Sequence, residues 1–353
     1  MERKQRDNRG AAEPGRDLVE LVDVTRHYDV SRPWLNRVLE RTGRRILRAV
    51  DGVSFSIRRG ETFALVGESG CGKSTVARMV VGLEPPTDGR LTFDGVDIGG
   101  LGYRADAAAV RRRFQIVFQD PYASLNPLWR VGAIIAEPIR AFGLAGEGRS
   151  MDHRVADLLT GVGLRAGDAN RYPHEFSGGQ RQRISIARAL AGEPEFLVCD
   201  EPTSALDVSV QAQILNLMKD LQDQRSLTYL FISHDMAVVR HMSDRVGVMY
   251  LGQLCEIAPT RTLFHIPRHP YTRMLIDTIP DLEMTGRERS VIGGDLPNPL
   301  DPPSGCPFNA RCPHANDRCR SEVPQLIETG EAGAKVACHA IEEKRLTPTP
   351  LIS

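Results

Sequence analysis

Thr62-Phe-Ala-Leu-Val66 runs without interruption into Gly67-Glu-Ser-Gly-Cys-Gly-Lys73-Ser74-Thr75. Five apolar or neutral residues with no polar alternation predict a strand covered on both faces. The residues after that strand fit the phosphate-loop pattern G-x-x-x-x-G-K-[ST] in its required strand, loop, helix setting. Each residue type has a task. Glycines at 67, 70 and 72, with Ser69 and Cys71 between them, let successive backbone N–H groups turn inward around an anion, and the helix opened by Thr75 adds its positive end. Lys73 neutralises β- and γ-phosphate oxygens, and the Ser74 hydroxyl is a Mg²⁺ ligand. Chance alone gives the pattern on the order of once per hundred chains, and the flanking strand lowers that figure. Nucleotide binding is therefore the first expectation. The place of Cys71 near a helix N-terminus favours a thiolate, but the plainer reading is a small space-filling residue.

On either side of this stretch, short β-type runs recur between helical ones: VSFSI, TFALV, FQIVF, FLVC, TYLFI and VGVMY. Their alternation with helices predicts an α/β domain with a mainly parallel sheet. Residues 211–224 carry Ile214, Leu215, Leu217, Met218 and Leu221 at helical spacing, with Ser209 available as a cap. A helical insertion is expected over about 120–176. From 124 onward there is little β pattern, and breaks fall at Pro127, Pro138, Gly143 and Gly163. The strand Phe196-Leu-Val-Cys199 ends in Asp200-Glu201, which places two carboxylates at the edge of the sheet where ligands of such folds bind. Asp200 is assigned to Mg²⁺ and Glu201 to the attacking water as general base. As a pair of surface acids they would mean little; the phosphate loop upstream gives them meaning. Phe176-Ser177-Gly178-Gly179-Gln180 precedes the helix-forming ISIARALA, so Ser177 and the glycine N–H groups form a second anion site at a helix start.

The chain has 353 residues, 41% of them hydrophobic, enough for one large domain and one smaller one. Lys+Arg 45 balances Asp+Glu 45, which argues against coating nucleic acid or an anionic membrane by bulk charge, so no nucleic-acid partner is expected. No apolar run reaches the roughly 20 residues that span a bilayer, and the first fifteen residues lack the apolar stretch of a signal peptide, so a cytoplasmic setting is expected. Residues 1–16 are read as a disordered start, 17–258 as the main domain, 259–345 as a loop-rich, proline-rich unit and 346–353 as a tail. Between Tyr28 and Val50, Arg32, Arg37, Arg41, Arg44, Arg45 and Arg48 face few acids, and a solvated surface insertion is the plain reading.

The segment 176–183 resembles the LSGGQ signature of ATP-binding-cassette (ABC) ATPases, with Phe176 in place of Leu. The resemblance covers roughly Leu18 to Ile257 and implies the ABC-type P-loop ATPase fold: a mainly parallel sheet, an antiparallel β part and the helical insertion. It also implies ATP and Mg²⁺ as ligands. Likeness of motif implies further roles. Gln119, after FQIVF, matches the glutamine that links Mg²⁺ and water to the insertion. Ser204-Ala-Leu-Asp207 matches a loop that reaches across a dimer, His234 the switch histidine at the γ-phosphate, and Tyr28 the aromatic that stacks on adenine, although Tyr28 reads nearly as well as a core residue. In the family the signature residues Ser177, Gly178, Gly179 and Gln180 of one subunit close on the nucleotide of the other. DPYASLNP at 120–127, HPYTRMLI at 269–276 and PPSGCPFNARCP at 302–313 look like the oligopeptide, dipeptide and nickel importer subfamily. That likeness implies an ATPase subunit at the cytoplasmic face of the membrane. Its implied partners are two transmembrane permease subunits, a second ABC ATPase chain, with a heterodimer favoured, and, indirectly, an extracytoplasmic substrate-binding protein.

Cys306, Cys312, Cys319 and Cys338 read C-x5-C-x6-C-x18-C. Spacing alone leaves an iron–sulfur cluster and a structural zinc near even, with His314 or His339 as substitutes in the zinc case. The subfamily likeness favours a [4Fe–4S] cluster. A cysteine group holding no metal is a further alternative, and disulfides rank last in a reducing compartment. Cys199 and Cys255 read as core residues. Two other classes stay open at this level: a soluble ABC protein without a permease, and a redox-sensing regulator in which ATP is a structural ligand. Di- or oligopeptide is the favoured cargo, with nickel and glutathione as alternatives.

Overall fold

The structure is a computed structural model that describes residues 16–32, 36, 43–100, 107–145, 150–279, 297–330 and 333–351. Residues 1–15 of the disordered start expected over 1–16, residues 33–35 and 37–42 of the Arg-rich stretch and the last two residues lie outside the described residues. In chain order the strands are β1 (Asp17–Asp29), β2 (Ile46–Arg58), β3 (Thr62–Val66), β4 (Asp88–Phe93), β5 (Val96–Asp97), β6 (Phe114–Val117), β7 (Phe196–Asp200), β8 (Thr228–Ser233), β9 (Arg245–Tyr250), β10 (Gln253–Pro259), β11 (Ile327–Glu328) and β12 (Lys335–Val336). An antiparallel sheet runs β2-β1-β4-β5, and a second sheet runs β11-β12-β10-β9-β3-β8-β7-β6. Within the second, β9, β3, β8, β7 and β6 are parallel, and β10, β12 and β11 are added antiparallel.

Period-two alternation explains why the strands of the parallel sheet are apolar throughout. Phe63 and Leu65 of β3 enter a core shared with Leu21, Phe55 and Leu91 of the antiparallel sheet. The intervening Ala64 and Val66 enter another core with Met236, Tyr250, Tyr271 and Phe308. In β7 and β8, Leu197, Cys199, Tyr229 and Phe231 face the helical side, where Ile214, Leu215 and Ile184 meet them. The two sheets are pinned at the start of the parallel strands by a closed charge network. Arg59 reaches Glu195 and Asp94, each at 2.7 Å, and Arg113 reaches the same two acids at 2.8 and 2.6 Å. Partial burial works against charge on Asp94 and Glu195, but hydrogen bonds from the two arginines prevail and hold both carboxyls below their ordinary range.

Helices cover 131–141 and 151–161 inside the expected insertion, followed by short 3₁₀ turns at 166–170 and 173–175. One detail differs from the sequence expectation. The helix Val208–Arg225 starts earlier than the apolar spacing implies, and its cap is Asp207, whose carboxylate accepts from Val210 N–H at 3.0 Å; Ser209 instead donates to that carboxylate. A charged acceptor at a helix N-terminus outcompetes a serine already inside the first turn.

The change of texture near 258 is not a break in packing. β12 pairs with β10 through Glu256↔Val336 and Ile257↔Lys335, so the C-terminal residues extend the main sheet. Tyr250, Tyr271 and Phe308 pack with ring centroids 4.7–5.5 Å apart, which joins β9, the helix Pro270–Asp277 and the cysteine-bearing loop. At the junction the buried Glu256 carboxylate accepts backbone N–H bonds from Arg268 and His269, at 3.0 and 2.8 Å. His269 in turn caps the helix Pro270–Asp277, its Nδ1 accepting from Tyr271 N–H at 3.1 Å. Burial lowers the His269 pKa to about 3.

The sign of the resulting pH dependence is fixed. Below an unfolded value of about 6.5 the unfolded chain takes up a proton that the folded chain refuses, so stability falls as pH falls. Against His269→Asn, which keeps an acceptor at the cap but does not titrate, the wild-type chain should lose about 1.4 kcal/mol per pH unit below 6.5. Denaturant unfolding between about pH 7.5 and 5.5 checks this; parallel curves for the two proteins would contradict it.

Candidate functional site

Four loops leave the same edge of the parallel sheet because β3, β6, β7 and β8 all point one way. The loop after β3 carries residues 67–72 and feeds the helix Lys73–Val80. Two glycines are required by close approach. A Cβ at Gly67 would lie 2.1 Å from the carbonyl oxygen of Met249, and one at Gly72, where φ is 108°, would lie 2.2 Å from that of Ala49. Cys71 is buried, its thiol pushed up by burial, and its backbone carbonyl accepts from Gly252 N–H at 3.0 Å. It fills space, as expected. Lys73 is buried with its ammonium on the carbonyls of Gly67 (2.7 Å) and Glu68 (2.9 Å). Ser69 and Gly70 are exposed at the loop's tip, and Thr75 lies in the first helical turn.

Asp200 ends β7 inside the protein, and Ser74 Oγ donates to its Oδ1 at 3.2 Å. Burial, aided by the neighbouring Glu201, pushes the Asp200 carboxyl above its ordinary range against the Ser74 bond and the Lys73 charge. A hydroxyl and a buried carboxyl short of positive charge form a donor set suited to Mg²⁺. Glu201 adopts φ 47°, a left-handed conformation uncommon outside glycine. Its two oxygens are held separately: Gln119 Nε2 donates to Oε2 at 3.0 Å, and His234 Nδ1 lies 3.1 Å from Oε1. Gln119, Glu201 and His234, assigned from distant parts of the sequence, thus meet around one carboxylate.

The signature segment forms a helix start at the exposed Ser177. Ser177 Oγ accepts from Gln180 N–H at 3.4 Å while Gln180 Oε1 accepts from Ser177 N–H at 3.0 Å, a reciprocal capping box. Gly179 is fixed by packing, since a Cβ there would meet Val210 Cγ1 at 2.3 Å; Gly178 faces Leu206. Asp207 spends its carboxylate on the helix cap, and Val208 beside it is 84% exposed. Half-buried Tyr28 donates its hydroxyl to Glu84, with the Arg26 guanidinium 4.7 Å above its ring.

Two contacts to the phosphate loop were not legible in the motifs. The Tyr271 hydroxyl accepts from Glu68 N–H at 2.8 Å, and Arg311 grips the Glu68 carboxylate with both terminal nitrogens at 2.8 and 3.1 Å. Both partners come from the C-terminal motifs HPYTRMLI and PPSGCPFNARCP, which carried only a family likeness.

Cys306, Cys319 and Cys338 are buried and Cys312 is partly so. Burial first, then repulsion from Cys338, Cys312 and Cys319, pushes the Cys306 thiol up to about 12; Cys312 is pushed to about 11 in the same way. Among the described residues no three His, Cys, Asp or Glu side chains are close enough to hold one metal ion. A tetrahedral zinc site needs sulfurs about 4 Å apart, so the mononuclear reading does not fit. His339 is occupied as well, with its ring nitrogens on Glu322 O at 3.0 Å and Glu342 at 3.4 Å.

The family model described as ABC transporter matches residues 50–204, and that described as oligopeptide/dipeptide transporter, C-terminal region, matches residues 255–319. A putative oligopeptide transport ATP-binding protein of Bacillus subtilis (strain 168) is 50% identical over 325 residues, 91% of this chain and 95% of its own length. A di/tripeptide transport ATP-binding protein of Pseudomonas aeruginosa (strain UCBPP-PA14) is 48% identical over 322 residues, 91% of this chain and 97% of its own. Among solved structures, a dimeric ATP-binding cassette in a post-hydrolysis state bound to ADP and Pi matches with a TM-score of 0.59 at 29% identity, covering 69% of this chain and 99% of that one.

The loop geometry yields a direct expectation. Gly67→Ala forces the loop away from Met249, and ATP affinity measured by titration calorimetry should fall at least about tenfold. Unchanged affinity would contradict the close approach.

Proposed function

This chain belongs to the ATP-binding subunits of ABC transporters that carry the oligopeptide/dipeptide transporter C-terminal region, and on that premise we propose that it hydrolyses ATP to power import of di- or oligopeptides. The observation that carries the reading is the meeting of Gln119, Glu201 and His234 at the sheet edge that also bears the phosphate loop. Residues 67–72 cradle the phosphates with backbone N–H groups, and Lys73 neutralises their oxygens. Ser74, Asp200 and Gln119 would hold Mg²⁺, which would shield phosphate charge. Glu201 takes a proton from the attacking water, with its carboxylate oriented by Gln119 and His234. The signature residues Ser177–Gln180 and Asp207 act on the nucleotide of a second cassette, and Tyr28 stacks on adenine.

No helix among the described residues is long and apolar enough to cross a membrane, and the reading assigns the transport path to partner chains. These are two permease subunits, with a second, different ATPase chain beside this one and an extracytoplasmic binding protein delivering cargo. The chain sits at the cytoplasmic face of that complex, and residues 17–258 form its ATPase domain. Exposed Phe118, Tyr122, Leu128 and Trp129, on the segment after β6, supply an apolar surface for a permease contact. Cys306, Cys312, Cys319 and Cys338 hold a [4Fe–4S] cluster. The reading rests on the likeness of the C-terminal motif and on four thiols, three buried and one partly so, in which charge on Cys338, Cys312 or Cys319 opposes ionisation of Cys306.

Three outcomes test the reading. Glu201→Gln should cut ATP turnover by about 10²–10⁴-fold, as loss of a general base does, with ATP affinity little changed; normal turnover would contradict the assignment. Anaerobic purification of the chain from native membranes in mild detergent should bring two permeases and a second cassette, with about four iron and four sulfide per chain. Recovery without membrane partners would contradict transport, and absence of iron would contradict the cluster. In proteoliposomes bearing that complex and its binding protein, uptake of labelled dipeptide but not of nickel(II) should depend on ATP.

A further inference from the structure

Glu68 is an acid inside a loop built to bind a polyanion. Left free, its carboxylate would repel the phosphates that the backbone of residues 67–72 attracts. It is not free: Arg311 binds both of its oxygens, at 2.8 and 3.1 Å, in the fork geometry that makes Arg–carboxylate pairs strong. The Arg311 side chain is only 7% exposed. It is wedged among Tyr250, Phe308 and Met274, with the two rings 5.9 and 5.8 Å from its guanidinium and Met274 Sδ at 3.5 Å. Tyr271, in the same aromatic group, accepts the Glu68 N–H. The carbonyl of Glu68 and that of Gly67 hold Lys73. Every polar group of Glu68 is therefore engaged, and of its four partners, Lys73, Cys71, Tyr271 and Arg311, the last two lie beyond residue 258.

We propose that Arg311 is a positioning residue of the nucleotide site: from the loop between Cys306 and Cys312 it cancels the Glu68 charge and sets the first turn of the phosphate loop for ATP. The proposal rests on the nucleotide-site reading above and extends it to the C-terminal segment. Loss of Arg311 exposes an uncompensated acid beside the phosphates, so the defect falls on binding and not on the chemical step.

The test compares Arg311→Gln, Glu68→Gln and the double variant as full-length chains, by Mg-ATP titration and, in the purified complex, by steady-state turnover. Arg311→Gln should weaken ATP binding about tenfold and raise KM, with kcat within about twofold. The deficit should shrink as salt rises, because screening weakens the repulsion. The double variant should regain most of the affinity, since it buries no unpaired charge. A merely structural role for Arg311 would leave the deficit unrelieved. Wild-type affinity in Arg311→Gln, or a double variant no better than Arg311→Gln, overturns the proposal. Should Arg311→Gln fail to fold, Arg311→Lys with and without Glu68→Gln makes the same comparison, with an expected deficit of about threefold; no deficit overturns it equally. Failure of the wild-type chain to bind Mg-ATP would instead overturn the nucleotide-site reading itself.

Discussion

The phosphate loop imposes the constraint that the other elements serve. Its backbone N–H groups must face one point, and that demands a path no residue larger than glycine can follow at positions 67 and 72, where carbonyls of Met249 and Ala49 close in from two strands. A buried lysine stands on the loop's own carbonyls. Such a loop holds its shape only if both flanks are rigid. β3 supplies one flank by burying alternate residues in two different cores. The C-terminal segment supplies the other, through the Tyr250–Tyr271–Phe308 cluster and the bonds from Tyr271 and Arg311 to Glu68.

The groups proposed for catalysis depend on the same sheet in another way. Because neighbouring strands are parallel, Asp200, Gln119 and His234 emerge on the edge where the phosphate loop turns, without long connections. Glu201 is bent into a left-handed conformation at that point, and its N–H bond to Ile232 O at 3.0 Å keeps it there. The two adjacent acids are thereby separated in environment: Asp200 points into the protein beside Ser74, and Glu201 faces outward between Gln119 and His234. Differing surroundings give adjacent carboxylates differing tasks.

Much of this was legible in the sequence because the parallel strands are buried on both faces and so read as unbroken apolar runs. The phosphate loop, the acidic pair and the signature are local in sequence, and each falls at the strand end or helix start that its pattern implies. Legibility failed where a longer range decided the outcome. The cap of the helix Val208–Arg225 fell to Asp207 because its carboxylate beats Ser209 for the same donors, a competition that apolar spacing does not register. Arg311 and Glu68 are 243 residues apart, and neither residue type in isolation predicts a pair. Across the texture change near 258, β12 docks on β10 and the two sides share a core, a junction that two-residue strands carry no period to announce.

The phosphate loop and the cysteine-bearing loop thus form one mechanical unit joined at Glu68. Hydrogen exchange of the full-length chain, with and without Mg-ATP, reads that coupling at both loops in one experiment. Nucleotide should slow exchange in residues 67–74 and, in the same titration, in residues 304–319. Protection confined to 67–74, with 304–319 unchanged, would contradict the coupling.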